Sequence, residues 1–169
     1  MALKNVGKSK VLAAAEYFIL KSQQEKRVVT NKKLQKLLYY AQAWSMVFNN
    51  KKIFNEPIEA WVHGPTVRKI YSKFKNFGFG NITVVVNEKD LNVLSADDKV
   101  VLDDVWKTYG KFNADYLEIL THNETPWQEA RDGMAADQSC NNEISTDSMK
   151  EYYGRRLEEI KKTGKVAQG

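Results

Sequence analysis

Two segments constrain this chain more than anything else in it: residues 30–44, TNKKLQKLLYYAQAW, and residues 61–71, WVHGPTVRKIY. In the first, Leu34, Leu37, Leu38 and Ala41 fall at i, i+3, i+4 and i+7 and so line one stripe of an α-helix. Thr30 stands where a side-chain oxygen can cap the first free N–H groups of that helix. In the second, Gly64 and Pro65 interrupt the chain, and Val67, Ile70, Tyr71 and Phe74 repeat the helical spacing. Each helix has an apolar face to cover, which commits the chain to a packed helical domain.

The length of 169 residues suits one ordinary domain, and 43% apolar with 28% charged residues reads as globular. The domain is expected over 8–160, with flexible ends at 1–7 and 161–169. One cysteine, Cys140, excludes an intramolecular disulfide, and no Cys/His cluster of zinc type occurs, so neither a metal nor another cofactor is expected. No apolar run is long enough to span a membrane, and Glu16 interrupts what would be the apolar core of a signal peptide. These features point to a cytoplasmic protein with no membrane partner. Charge is uneven: residues 1–78 carry 15 Lys and Arg against 4 Asp and Glu, and the remainder carries 11 against 17. The basic half is a solvated face, a nucleic-acid surface, or a surface for an acidic protein.

Along the chain, helices are expected from Ser9, from Thr30 to about Asn49, and from Pro65 to Gly78, with Gly64 as cap and Pro65 as first helical residue. The β-branched run NITVVV at 81–86 is the best strand, with 91–94 as its partner and 58–62 either a third strand or a helical turn. Ser95 with Asp98 forms a capping box for a helix ending near Gly110. A short helix over 115–122 follows, then one opened by a second box at Thr125 with Pro126 first in the helix, and a last one after Ser145 or Thr146. The fold class is therefore α+β and mostly α, a single-domain helical bundle with a small β-hairpin or short antiparallel sheet.

The order of aromatic-rich helix, Trp61-Val62-His63-Gly64-Pro65 and second helix resembles the Panacea domain, the SocA-like antitoxin domain also met as a phage-associated genetic element protein. The capping box at Ser95, Leu120-Thr121-His122, and Pro126-Trp127 followed by Ala130 extend the likeness over roughly 9–153. Thr66-Val67 departs from the valine often found directly after Gly-Pro. The resemblance implies an antitoxin that neutralises a cognate protein toxin by direct binding and, in some relatives, delivers it to a protease. It implies no enzymatic activity. The alternative from the residues is a DNA-binding regulator of its own operon, using Lys32, Lys33 and Lys36 with Arg68, Lys69, Lys73 and Lys75 on phosphates.

Tyr and Trp dominate protein interfaces, so Tyr40, Trp61, His63 and Trp127 are the expected partner-binding residues. Tyr39 and Tyr40 lie about 100° apart on a helix, so they cannot share one direction. His63 and His122 are either structural or, if both approached one carboxylate such as Glu59 or Asp115, an acid/base pair. Cys140 has no base beside it in sequence and reads as an inert loop thiol.

Overall fold

A computed structural model describes residues 7–164. These residues form seven α-helices and a small antiparallel hairpin: α1 (Lys10–Gln24), α2 (Asn31–Phe48), β1 (Glu59–Trp61), β2 (Gly64–Thr66), α3 (Arg68–Phe74), α4 (Ala96–Tyr109), α5 (Ala114–His122), α6 (Thr125–Arg131) and α7 (Thr146–Thr163). The predicted α+β, mostly α fold class is what forms. Helix α7 continues into the stretch expected to be a tail, while residues 1–6 and 165–169 lie outside the described residues.

Helix α2 is the axis. It packs against α1, α3, α4, α5, α7 and β2, so it has no solvated side along most of its length. Asn31 and residues 33–45 are buried, including Lys33, Gln35, Lys36 and Gln42. Its start is fixed as expected by Thr30, whose hydroxyl accepts from the Lys33 N–H at 3.2 Å. Its end is set by Asn49, whose N–H closes on the Ser45 carbonyl. Gln42 then ties the following loop down, accepting from Ile53 N–H at 2.9 Å and donating to the Phe54 carbonyl at 2.7 Å.

The hairpin differs from the expectation in a way that matters for the site. Gly64 and Pro65 do not open a helix; they form β2, paired with β1 in the register Glu59 to Thr66 and Trp61 to Gly64. Val62 and His63 make the turn, and the left-handed backbone needed beside it falls on Gly64, at φ +101°. Helix α3 begins only at Arg68, with Val67 before it.

The run at 81–86 is not a strand. Its burial still alternates, with Ile82 buried and Val85 exposed, but it runs beside the end of α1 and is held by single contacts, Ile82 N–H to the Val29 carbonyl and Gln23 Nε2 to the Val84 carbonyl. A strand needs a ladder, and the free edge of β1 is occupied by residues 142–144: Ala60 N–H donates to the Asn142 carbonyl and Ile144 N–H to that of Ile58. Residues 91–94, the expected partner, belong mostly to a 3₁₀ turn.

The capping box of α4 forms as predicted, with Ser95 Oγ accepting from Asp98 N–H at 3.0 Å and Asp98 Oδ2 from Ser95 N–H at 2.9 Å. Asp98 is buried and also meets Lys10 Nζ at 2.9 Å. Replacing Ser95 by alanine should cost about 1 kcal/mol in urea denaturation, the usual worth of a helix cap. The second expected box does not form. Glu124, not Thr125, is the residue before α6, and it makes no side-chain cap because its carboxylate is turned into the core.

Candidate functional site

The two sequence signatures meet in space, and polar residues of α2 make the junction. Gln35 Oε1 accepts from Val67 N–H at 2.8 Å, Asn31 Nδ2 donates to the Tyr71 carbonyl at 3.0 Å, and Lys36 Nζ donates to the Pro65 carbonyl at 3.3 Å. Gln35 Nε2 donates in turn to Asn31 Oδ1, so the three side chains hold the hairpin and the start of α3 as one unit. The aliphatic stem of Lys36 runs directly beneath Gly64. A Cβ there would lie 2.5 Å from Lys36 Cε and 2.9 Å from Thr121 Oγ1. Glycine is needed for the close approach as well as for its backbone angle.

Behind the hairpin, Trp127 donates its indole N–H to the Trp61 carbonyl at 2.9 Å and lies between the His122 ring, stacked at 4.1 Å, and the Arg131 guanidinium, at 4.8 Å. Arg131 is buried and donates to the carbonyls of Ala60, Ala135 and Gln138. It therefore fastens the loop after α6 to β1. In front, Trp61 packs edge-on against Tyr71 and carries Arg68 over its ring, while Arg68 forms a two-point ion pair with Glu59.

At the turn, His63 is exposed and its Nδ1 lies 2.9 Å from Glu118 Oε1; His122 Nε2 lies 3.9 Å from the same oxygen. Lys32 pairs with the other Glu118 oxygen and with Asp115. Burial pushes the Glu118 carboxyl upward, but the hydrogen bonds from Lys32 and His63 outweigh it and hold it below its ordinary value. Burial lowers His122, partly offset by Glu118. Two histidines do converge on one carboxylate, though it is Glu118 and not Glu59 or Asp115. The described residues contain no group of three or more His, Cys, Asp or Glu placed to hold a metal ion.

The expected partner-binding residues separate. Tyr40 is fully buried and stacks on Tyr109 at 3.9 Å with its hydroxyl on Glu124, so in this fold it is a core residue and presents no surface. Tyr39 is equally buried, so neither tyrosine is the exposed one. Trp127 is buried as a support for the hairpin. Trp61 is half-buried and His63 exposed, adjacent on the same hairpin. The basic set also divides. Lys33 is buried and donates to the Gly110 carbonyl at 2.6 Å, and Lys36 is buried under the hairpin, so neither can track a phosphate backbone as an amphipathic surface would. Reading the residues in sequence missed Glu118, whose only signal was its i,i+4 spacing to His122, and the cleft beside the hairpin.

That cleft, of about 570 Å³, is bounded by α2, the hairpin, α3, the Gly78-Phe79 segment and residues 139–141, and Cys140 lies in its wall. The arrangement is a rigid hairpin, braced from behind and anchored from below, presenting one exposed histidine and one tryptophan beside a concave basic surface. Residues 34–128 match the antitoxin SocA-like, Panacea domain, and the chain belongs to that family. Comparison with curated proteins and with solved structures gives no match. The matched span begins in α2 and ends in α6, so it contains the hairpin with Gln35, Lys36 and Trp127, while Asn31 and Arg131 lie just outside it. Among the described residues, no helix is long and apolar enough to cross a membrane.

Proposed function

We propose that this chain is an antitoxin that neutralises a cognate protein toxin by direct, non-enzymatic binding, with the hairpin 59–66 at the centre of the contact. Membership of an antitoxin family supports the role. The observation that carries the location is the hairpin itself, with Trp61 and His63 at its tip on a base immobilised by Trp127, Arg131 and Lys36. Pre-organised aromatic anchors concentrate binding energy because little conformational entropy is lost on association.

Co-expression with the product of the neighbouring reading frame tests this. The expected result is rescue from toxicity and a complex that co-purifies, with Trp61→Ala weakening it by about 2 kcal/mol, or roughly thirtyfold. His63→Glu should weaken it as well, while the buried control Tyr40→Phe leaves affinity unchanged. Persistent toxicity with no complex overturns the antitoxin reading. Rescue without a complex, together with a salt-dependent shift of operator DNA, would favour the DNA-binding regulator instead.

A further inference from the structure

The cleft beside the hairpin has a chemical character that toxin binding does not account for. Its lining includes Lys32, Lys36, Arg68, Lys75 and His63 and no Asp or Glu. Lys32 and Arg68 have acidic partners standing outside the lining, Glu118 and Asp115 for one and Glu59 for the other. Lys36 and Lys75 have no carboxylate within ion-pair distance among the described residues. Lys36 is fully buried, and among the described residues its ammonium has only the long bond to the Pro65 carbonyl. Burying a cation without a counter-charge is costly, and an anion in the cleft would remove that cost. Trp61, in the same wall, has a buried indole N–H with no acceptor among the described residues. A donor is therefore left without an acceptor beside a cation without a counter-charge.

The remaining wall is aromatic. Tyr71 is exposed at its edge, and Phe79 is 97% exposed although it lines the cleft. An aromatic ring left this bare beside a basic cavity is a free stacking face. The volume falls within the range of small-ligand sites and is too small for a nucleic-acid duplex.

We propose that this cleft binds a small ligand combining phosphate groups with an aromatic ring, of the nucleotide class. The phosphates lie toward the exposed Lys75, in the field of Lys36 buried behind the cleft wall, and the base toward Phe79 and Tyr71. The cleft shares Trp61 and His63 with the proposed toxin contact, so its own test rests on Lys75 and Phe79, which that contact does not use.

Isothermal titration of the purified full chain at low salt tests it, with ATP, AMP, adenosine and inorganic phosphate as probes and a glutamate-rich peptide for comparison. ATP should bind more tightly than AMP, and AMP more tightly than phosphate or adenosine. Lys75→Glu should weaken ATP by about tenfold or more. Phe79→Ala should weaken ATP and AMP by about tenfold while leaving phosphate unchanged. Both side chains are exposed, so unchanged melting curves will show that the variants are folded. Absence of ATP binding at millimolar concentration overturns the proposal, as does ATP binding indifferent to both substitutions. Tighter binding of the acidic peptide than of ATP overturns it in favour of a protein ligand.

Discussion

Gly64→Ala is expected to destabilise the domain by about 3 kcal/mol in chemical denaturation, combining a left-handed backbone angle with a steric overlap. The angle alone is worth about 1 kcal/mol for an alanine. Gly133→Ala isolates that part, since Gly133 also has positive φ, at 77°, but a Cβ there meets nothing within 4 Å. The excess at Gly64 comes from Lys36 Cε and Thr121 Oγ1. Lys36 is a flexible side chain, but here it is buried and its ammonium is held at the Pro65 carbonyl, so it cannot swing aside freely. Shortening Lys36 to alanine in the Gly64→Ala background should therefore recover part of the loss, and the two substitutions should be less than additive. If Gly64→Ala costs no more than Gly133→Ala, the hairpin is not seated on Lys36 as described, and its rigidity as a binding element goes with it.

That contact also shows what could and could not be read from the sequence. Elements fixed by local chemistry were legible: the Thr30 cap, the Ser95 and Asp98 box, and the extent of α2 all rest on residues within one or two helical turns. Elements fixed by distant partners were not. The β-branched run at 81–86 has strand composition, but the available edge of β1 was taken by residues 142–144. Lys33 and Lys36 sit where a surface stripe would put them, but α2 is enclosed on all sides. Their ammonium groups are met by the carbonyls of Gly110 and Pro65, far along the chain. The same enclosure removes Tyr40 from the surface. At the candidate site, the pairing of Trp61 with His63 was visible because two neighbours on a hairpin stay together in any fold. Glu118 and Phe79 come from two further segments, and nothing in their spacing joins them to it.

The enclosure of α2 predicts an unusual dependence of stability on pH, because it buries a carboxyl and an ammonium group that have no partner of opposite charge within ion-pair distance among the described residues. Glu124 accepts from the hydroxyls of Tyr39, Tyr40 and Tyr153, and Arg156 contributes a favourable field. Burial is nevertheless the largest influence and pushes the carboxyl from 4.5 up to about 8. The folded chain then keeps a proton that the unfolded chain has released. Stability from this group is complete below pH 4.5 and is lost progressively as pH rises to about 8. Lys36 has the opposite sign. Burial lowers its ammonium from 10.5 to about 7, with Glu118 and Lys32 as smaller opposing influences, so its penalty is full below pH 7 and is relieved as pH rises toward 10.5. Lys33, lowered to about 8 by burial and by Arg27, adds to that upper limb. The two limbs oppose one another between pH 7 and 8, so these groups place their least favourable balance near neutrality. Denaturation of Glu124→Gln and Lys36→Met across pH 4 to 10 should separate them. Relative to the parent, Glu124→Gln should gain stability steadily from about pH 4.5 to 8, on the order of 5 kcal/mol in all. Lys36→Met should show its greatest advantage below pH 7, shrinking toward pH 10. Glu124→Leu, which leaves three buried hydroxyls without their acceptor, should instead cost about 3 kcal/mol below pH 4.5, a loss that shrinks toward pH 8 because this variant cannot titrate either. A difference profile that is flat with pH for Glu124→Gln would mean that the carboxyl ionises at its ordinary value, and would remove the buried, protonated glutamate from this account of the core.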